Sequence, residues 1–141
     1  MVDCSKVYIS TSTFSTDKNN FLGAFAKVNI KKDELIEYGL VIRVEDKSFN
    51  GMNNPHVFTW SDDIPNTTWA FCSGCATFYN TSLEPNTRMD RDFENDTFII
   101  YAIKDIKKDD ELTHKYRSLS WRMCFKDLDN SLENSDISDT V

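Results

Sequence analysis

The hydrophobic positions of this chain fall into short β-branched runs separated by polar turn residues, a pattern that predicts strands rather than helices. Val7-Tyr8-Ile9 predicts one strand and Gly23-Ala24-Phe25-Ala26-Lys27-Val28 a second. Leu35 to Val44 is an extended apolar run, preceded by the turn-prone Lys31-Lys32-Asp33. Asp46 to Pro55 contains Asn50-Gly51 and Asn53-Asn54-Pro55 and reads as a loop. His56 to Trp60 predicts a strand and Ser61 to Asn66 a turn. Thr97 to Ile106 alternates only loosely, but its β-branched content favours a buried strand. Ser118 to Lys126 is compatible with a short helix capped by Ser118 or Ser120. Asp127 to Val141 has no aromatic residue and few apolar ones, and reads as a disordered acidic tail.

One internal echo stands out. Ala26-Lys27-Val28-Asn29-Ile30-Lys31-Lys32-Asp33-Glu34-Leu35 is similar to Ala102-Ile103-Lys104-Asp105-Ile106-Lys107-Lys108-Asp109-Asp110-Glu111-Leu112. Each reads as strand, Lys-Lys-Asp turn, strand. Two copies are too few for a solenoid and predict two similar hairpins within one β fold.

The length of 141 residues suits one domain with a real core. No apolar run reaches the 18 or so residues needed to span a bilayer. Met1 to Lys6 lacks a basic stretch followed by an apolar one, so the expectation is an intracellular protein that is not secreted. The net charge is −7, of which residues 127–141 carry five acidic and no basic side chains, leaving −2 for residues 1–126. A near-neutral body argues against direct nucleic-acid binding, which needs a basic face, and is compatible with a basic peptide partner. The four cysteines read as thiols. Cys72-Ser73-Gly74-Cys75 is a lone Cys-x-x-Cys; with only Cys4, Cys124 and two histidines besides, no metal site is expected, and small packing residues are the simpler reading.

The echo, with what lies between its copies, resembles the SET domain. That family has an early Gly-x-Gly-φ-Phe-Ala (φ an apolar residue), a turn Ile-x-x-Gly-Glu-φ and an Asn-His-Ser-x-x-Pro-Asn. It closes on Ala-x-x-Asp-Ile-x-x-Gly-Glu-Glu-Leu-Thr-x-x-Tyr. This chain has Leu22-Gly23-Ala24-Phe25-Ala26, Ile30-Lys31-Lys32-Asp33-Glu34-Leu35, Asn80-Thr81-Ser82-Leu83-Glu84-Pro85-Asn86, and Ala102 through Glu111-Leu112-Thr113-His114-Lys115-Tyr116 in the same order. Its compact size resembles the minimal SET proteins of large DNA viruses and some microbes. The resemblance implies a mainly β SET fold of several small sheets, in which Asn80–Asn86 and the chain ending at Tyr116 cross as a pseudoknot. The expected organisation is a SET-like domain at 5–117, a closing segment at 118–126 and the tail at 127–141.

The activity this implies is methyl transfer from S-adenosylmethionine to the side-chain amine of a protein lysine, with a histone tail as the family-typical substrate. Tyr116 would be catalytic. Gly23, Ala24, Asn80, Thr81 and Tyr116 would hold the cofactor, and Tyr38, His114 and Trp121 would line the lysine channel. Each has a plainer reading: Asn80 as a turn residue, Tyr38 as core, His114 as a strand histidine, Trp121 and Phe125 as an amphipathic packing face. At the expected site, three positions depart from the family. Thr81 stands where it has histidine, Phe21 where it has the first glycine, and His114 where it often has phenylalanine or tyrosine. The competing function is a SET-like module that binds a basic peptide without turnover. Minimal relatives can pair, so a homodimer is open.

Overall fold

The computed structural model describes residues 1–54, 56–61 and 68–116. The expected helix at 118–126, Trp121, Phe125 and the tail at 127–141 lie outside the described residues, as does most of the turn expected at 61–66. Among the described residues there are nine strands: β1 Val7–Thr11, β2 Leu22–Ala26, β3 Leu35–Arg43, β4 Phe58–Thr59, β5 Trp69–Cys72, β6 Asn80–Thr81, β7 Thr87–Asp92, β8 Thr97–Ala102 and β9 Glu111–His114. They make a four-stranded sheet in the order β1-β2-β9-β6 and a five-stranded sheet in the order β4-β5-β3-β8-β7. The protein is mainly β, as expected, with single turns of 3-10 helix at Gly51–Asn53 and Ala76–Phe78.

Strand β8 shows how the sequence selects its face. Phe98, Ile100 and Ala102 point inward and are buried, while Thr97, Ile99 and Tyr101 are only partly covered, which is the period of two that a half-buried strand requires. Strand β3 breaks that period. Its pairing with β8 slips between Leu35 and Glu37, and such a bulge turns consecutive side chains to the same side. Ile36 and Glu37 are therefore both buried, and a carboxylate enters the interior. Trp60, Tyr79, Phe98, Ile30, Ile36, Ile100 and Leu112 fill the rest of the core.

The echo does not form two hairpins. In each copy the strand before the turn and the strand after it belong to different sheets: β2 and β3 part company, and so do β8 and β9. The two copies bind each other instead. Ile30 N–H donates to Ile106 O at 2.8 Å and Ile106 N–H to Ile30 O at 2.7 Å. Lys32 N–H donates to Asp105 Oδ1 and Lys108 N–H to Asn29 Oδ1, each at 2.9 Å. Within each copy the acidic side chain closes the turn, with Lys31 N–H on Glu34 Oε2 and Lys107 N–H on Asp110 Oδ2. Buried backbone groups must find partners, and here each copy supplies those of the other. The strand expected at 97–106 accordingly ends at Ala102, because Ile106 is spent in this bridge. The strand expected at 56–60 shortens to Phe58–Thr59.

Both turns need a left-handed residue, and each uses an aspartate, with φ of 71° at Asp33 and 72° at Asp109. These are the positions where the SET pattern has glycine. Aspartate tolerates this region better than most residues, whereas a β-branched side chain there costs roughly 1–2 kcal/mol. We expect Asp33→Gly to be neutral or slightly stabilising and Asp33→Val to lose at least about 1 kcal/mol in a urea melt. Equal midpoints for the valine variant and the parent would exclude a left-handed turn in solution.

Candidate active site

Strand β9 gathers the candidate site because two separate segments grip it, β2 and residues 80–87. It runs antiparallel to β2, with Ala24 opposite Leu112, and parallel to β6, with Asn80 opposite Thr113 and Thr81 opposite His114. Asn86 ties the crossing: its Nδ2 donates to Glu111 O at 2.8 Å, and its Oδ1 accepts from Thr113 N–H at 2.8 Å. Thr87 Oγ1 adds a bond to Thr113 O. The segment 80–86 thus lies across the strand that leads into Tyr116, the crossing that the family pattern implied.

Tyr116 is held at both ends. Its backbone N–H donates to Thr81 Oγ1 at 3.1 Å, and its hydroxyl donates to Tyr79 O at 2.8 Å. The His114 ring lies edge-on to the Tyr116 ring, 5.2 Å between centroids, and the Tyr79 and His114 ring centroids are 5.9 Å apart. His114 is buried, and its pKa is pushed down to about 3, first by loss of solvation and then by the positive charge of Arg91. It is therefore a neutral imidazole throughout the physiological range. A cleft of about 290 Å³ opens beside it, with Arg88, Arg91 and Lys115 among its walls.

Asn80 and Gly23 meet at a second group, the Glu111 carboxylate. Ser12 Oγ, Thr13 N–H, Thr13 Oγ1 and Asn80 Nδ2 all donate to it, at 2.6 to 3.0 Å. Asn80 Nδ2 also lies 3.1 Å from Leu22 O. A Cβ at Gly23 would stand 2.5 Å from Glu111 Oε2 and 3.1 Å from Asn80 Nδ2. Glycine is needed there to admit the carboxylate.

The structure thus brings Gly23, Asn80, Thr81, His114 and Tyr116 together around β6 and β9. Ala24 is fully buried on β2, with its side chain in the core. The Thr81 side chain is also buried, and its oxygen positions Tyr116. Tyr38 lies on β3 in the other sheet, its backbone bonded both ways to Asp3. Trp121 lies outside the described residues.

Three residues of the site were not singled out from the sequence. Tyr79 links the sheets, since its carbonyl takes the Tyr116 hydroxyl while its own hydroxyl donates to Glu37 Oε1 at 3.0 Å. Glu37 is fully buried, and desolvation raises its pKa to about 7 against the lowering effect of its bonds from Cys75 N–H and Tyr79. An acid inside the apolar run 35–44 was the available signal. Glu111 carried none beyond its place in the Glu-Leu-Thr frame.

The family model for the SET domain matches residues 22–117, more than half of the chain. The chain belongs to the SET-domain family. No curated protein sequence matches it. Among solved structures, it is similar to a Plasmodium falciparum protein described as a candidate histone methyltransferase. They share 26% identity at a TM-score of 0.59, over 82% of this chain and 96% of that one. It also shares a fold with the Neurospora SET domain protein DIM-5, a histone lysine methyltransferase. There the identity is 23% and the TM-score 0.55, over 78% of this chain but only 51% of that one, so this chain spans about half its length.

The burial of His114 makes stability depend on pH. The unfolded chain takes up its proton near the ordinary value of 6.5, while the folded chain resists until about pH 3. The unfolded state binds more protons across that window, so the His114 contribution is constant above 6.5 and falls as the pH drops through it. Between pH 7.5 and 4.5 the parent should lose roughly 2–3 kcal/mol through this residue. His114→Asn should lose that much less between the same two pH values, read as urea midpoints. The same slope in both proteins would show that His114 is not buried as a neutral ring.

Proposed function

We propose that this SET domain transfers a methyl group from S-adenosylmethionine to the side-chain amine of a lysine in a basic protein, with a histone tail as the substrate class that its relatives favour. The observation that carries this reading is the double anchoring of Tyr116, with its hydroxyl proton committed to Tyr79 O and a neutral His114 against its ring.

The residues fit such a cofactor. Leu22–Ala24 and Asn80–Thr81 lie on strands β2 and β6, which flank β9 in one sheet, and Tyr116 lies two residues beyond the end of β9. The Glu111 carboxylate beside Gly23 and Asn80 supplies negative charge for a cationic ligand, and among the described residues no Lys or Arg forms an ion pair with it. When bound, the cofactor supplies a methyl group on a positively charged sulfur.

The chain's own residues do the rest. A lysine side chain has an ordinary pKa near 10.4 and must shed its proton before it can attack. Burial and nearby positive charge both favour the neutral amine, and Arg88, Arg91 and Lys115 bring such charge to the cleft beside His114. Because Tyr116 donates its proton to Tyr79 O, its oxygen is left as an acceptor. It can take a hydrogen bond from the incoming amine and weak C–H···O contacts from a methyl group. Fixing such an acceptor in advance lowers the barrier by orientation rather than by proton transfer.

Tyr116→Phe removes the acceptor and keeps the ring. Transfer to histone peptides should fall by roughly 100-fold or more, the size of losing one preorganised polar contact to the reacting group. Calorimetric binding of S-adenosylhomocysteine should change only a few-fold. Peptide binding with no binding of either cofactor form, in folded protein, would replace the enzyme with a peptide-binding module.

A further inference from the structure

Cys75 does not work with Cys72, its partner in the Cys-x-x-Cys; the fold sets it against Cys4 and Glu37. The ligand atoms of Cys4, Glu37 and Cys75 all lie within 4.8 Å of one another. Three features of the chain create this meeting. Asp3 and Tyr38 exchange backbone hydrogen bonds at 2.8 and 2.9 Å, which lays Cys4 beside β3 at Glu37. The bulge in β3 turns Glu37 inward. Gly74, at a φ of +67°, passes so close to Glu37 Oε2 that any side chain there would collide with it, and this brings Cys75 in behind.

Glu37 is an expensive residue to bury. It is 0% exposed, and its neutralisation by protein is incomplete: it accepts from Cys75 N–H at 2.8 Å and Tyr79 hydroxyl at 3.0 Å. Among the described residues no Lys, Arg or His forms an ion pair with it. Buried carboxylates are ordinarily paired with a cation or coordinate a metal. Each of its oxygens accepts one hydrogen bond and keeps a second lone pair. Two cysteine sulfurs stand within reach of those lone pairs.

We infer that Cys4, Glu37 and Cys75 form a binding site for a thiophilic divalent cation of the Zn²⁺ class. Two thiolates and one carboxylate are a donor set suited to a d¹⁰ ion, and too soft for Mg²⁺ or Ca²⁺. Tetrahedral bonding at about 2.3 Å to sulfur spaces the sulfurs about 3.8 Å apart, so closing the cluster takes shifts of at most about 1 Å. Cys4 and Cys75 are half-buried, which leaves a side open for water as the fourth ligand. On binding, the cation displaces the thiol protons to solvent and stays divalent, with no redox change. The bound ion would pin the N-terminal residues to β3 and to the loop that runs through Tyr79 into the Asn80 crossing.

The test is titration of the full chain, reduced and metal-free, with Cd²⁺ alone. We expect one equivalent to bind with a thiolate-to-metal charge-transfer absorption. Cys4→Ser and Cys75→Ser should each weaken binding on the order of 100-fold, while Cys72→Ser leaves it unchanged. Circular dichroism identifies any variant that fails to fold, and the two serine variants serve as independent checks on each other. No charge-transfer band at one equivalent would overturn the proposal. So would a band that survives both Cys4→Ser and Cys75→Ser. None of these readouts depends on methyl transfer, so the site can fail while the enzyme stands, and the reverse.

Discussion

A strand of four residues, β9, has to be held in place by partners that come from two distant parts of the chain, and the position of each candidate site group follows from that grip. The ladder with β2 and the parallel ladder with β6 each contribute only two residue pairs. Such short ladders supply few hydrogen bonds, and each is worth only about 0.5–1.5 kcal/mol net. Side chains make up the difference. Asn86 uses its amide as a backbone would, donating to Glu111 O and accepting from Thr113 N–H. Thr87 and Thr81 hold its C-terminal half and the residues just beyond it, at Thr113 O and at Tyr116 N–H. Tyr116 therefore stands where it does because segment 80–87 crosses β9.

Carboxylates play the matching role in the irregular parts. Glu111 collects four donors and joins the loop at Ser12–Thr13 to Asn80. Asp96, itself at a φ of 53°, accepts from Arg43 Nε and Trp60 Nε1, both at 2.9 Å, and fixes the turn between β7 and β8. Glu37 joins β3 to the Cys75–Tyr79 segment. Charge-assisted bonds are stronger than neutral ones. A fold made of two-to-nine-residue strands with long connections uses them where ladders run out. The consequence for the site is that its anionic and neutral groups are separated: Glu111 lies on the Gly23–Asn80 side, and the neutral His114 lies beside Tyr116.

Much of this was legible in the sequence, and what was not has a physical cause. The long runs at 7–11, 22–26, 35–43 and 97–102 carry enough β-branched and apolar residues to declare themselves. Strand β7 does not: Thr87–Asp92 holds one apolar residue, Met89, and is a strand only because β8 pairs with it along its whole length. Strand β6 is two residues long and exists only through β9. The echo was visible, but its meaning was not, because a strand–turn–strand pattern reports local geometry and says nothing about which sheet each arm joins. Gly23 signalled a close approach, and the group that makes it in this structure is Glu111. Cys72 and Cys75 share a Cys-x-x-Cys spacing, but the thiol that the fold places beside Cys75 is Cys4, some seventy residues earlier in the chain, a proximity that no local spacing signals.

The internal symmetry explains why the site is on one arm of the echo and not the other. With the turns at Asp33 and Asp109 superposed, β3 corresponds to β9, Tyr38 to His114 and Glu37 to Thr113. Both arms leave the Ile30–Ile106 bridge in the same way. The first arm continues for nine residues, lies between β5 and β8, and becomes a central strand of its sheet. Its backbone groups are taken up by ladders on both sides, and its inward acid is held by the Cys75–Tyr79 segment. The second arm stops after four residues, and Asn86 is bonded along it at Glu111 O and Thr113 N–H. Stopping early releases the chain from the ladder at the point where Tyr116 can turn and place its hydroxyl on Tyr79 O. Tyr79 is in turn fixed by Glu37, the residue that the first arm buried. The two halves of the echo thus divide the work: one supplies the buried anchor, and the other carries the tyrosine that the anchor holds in position.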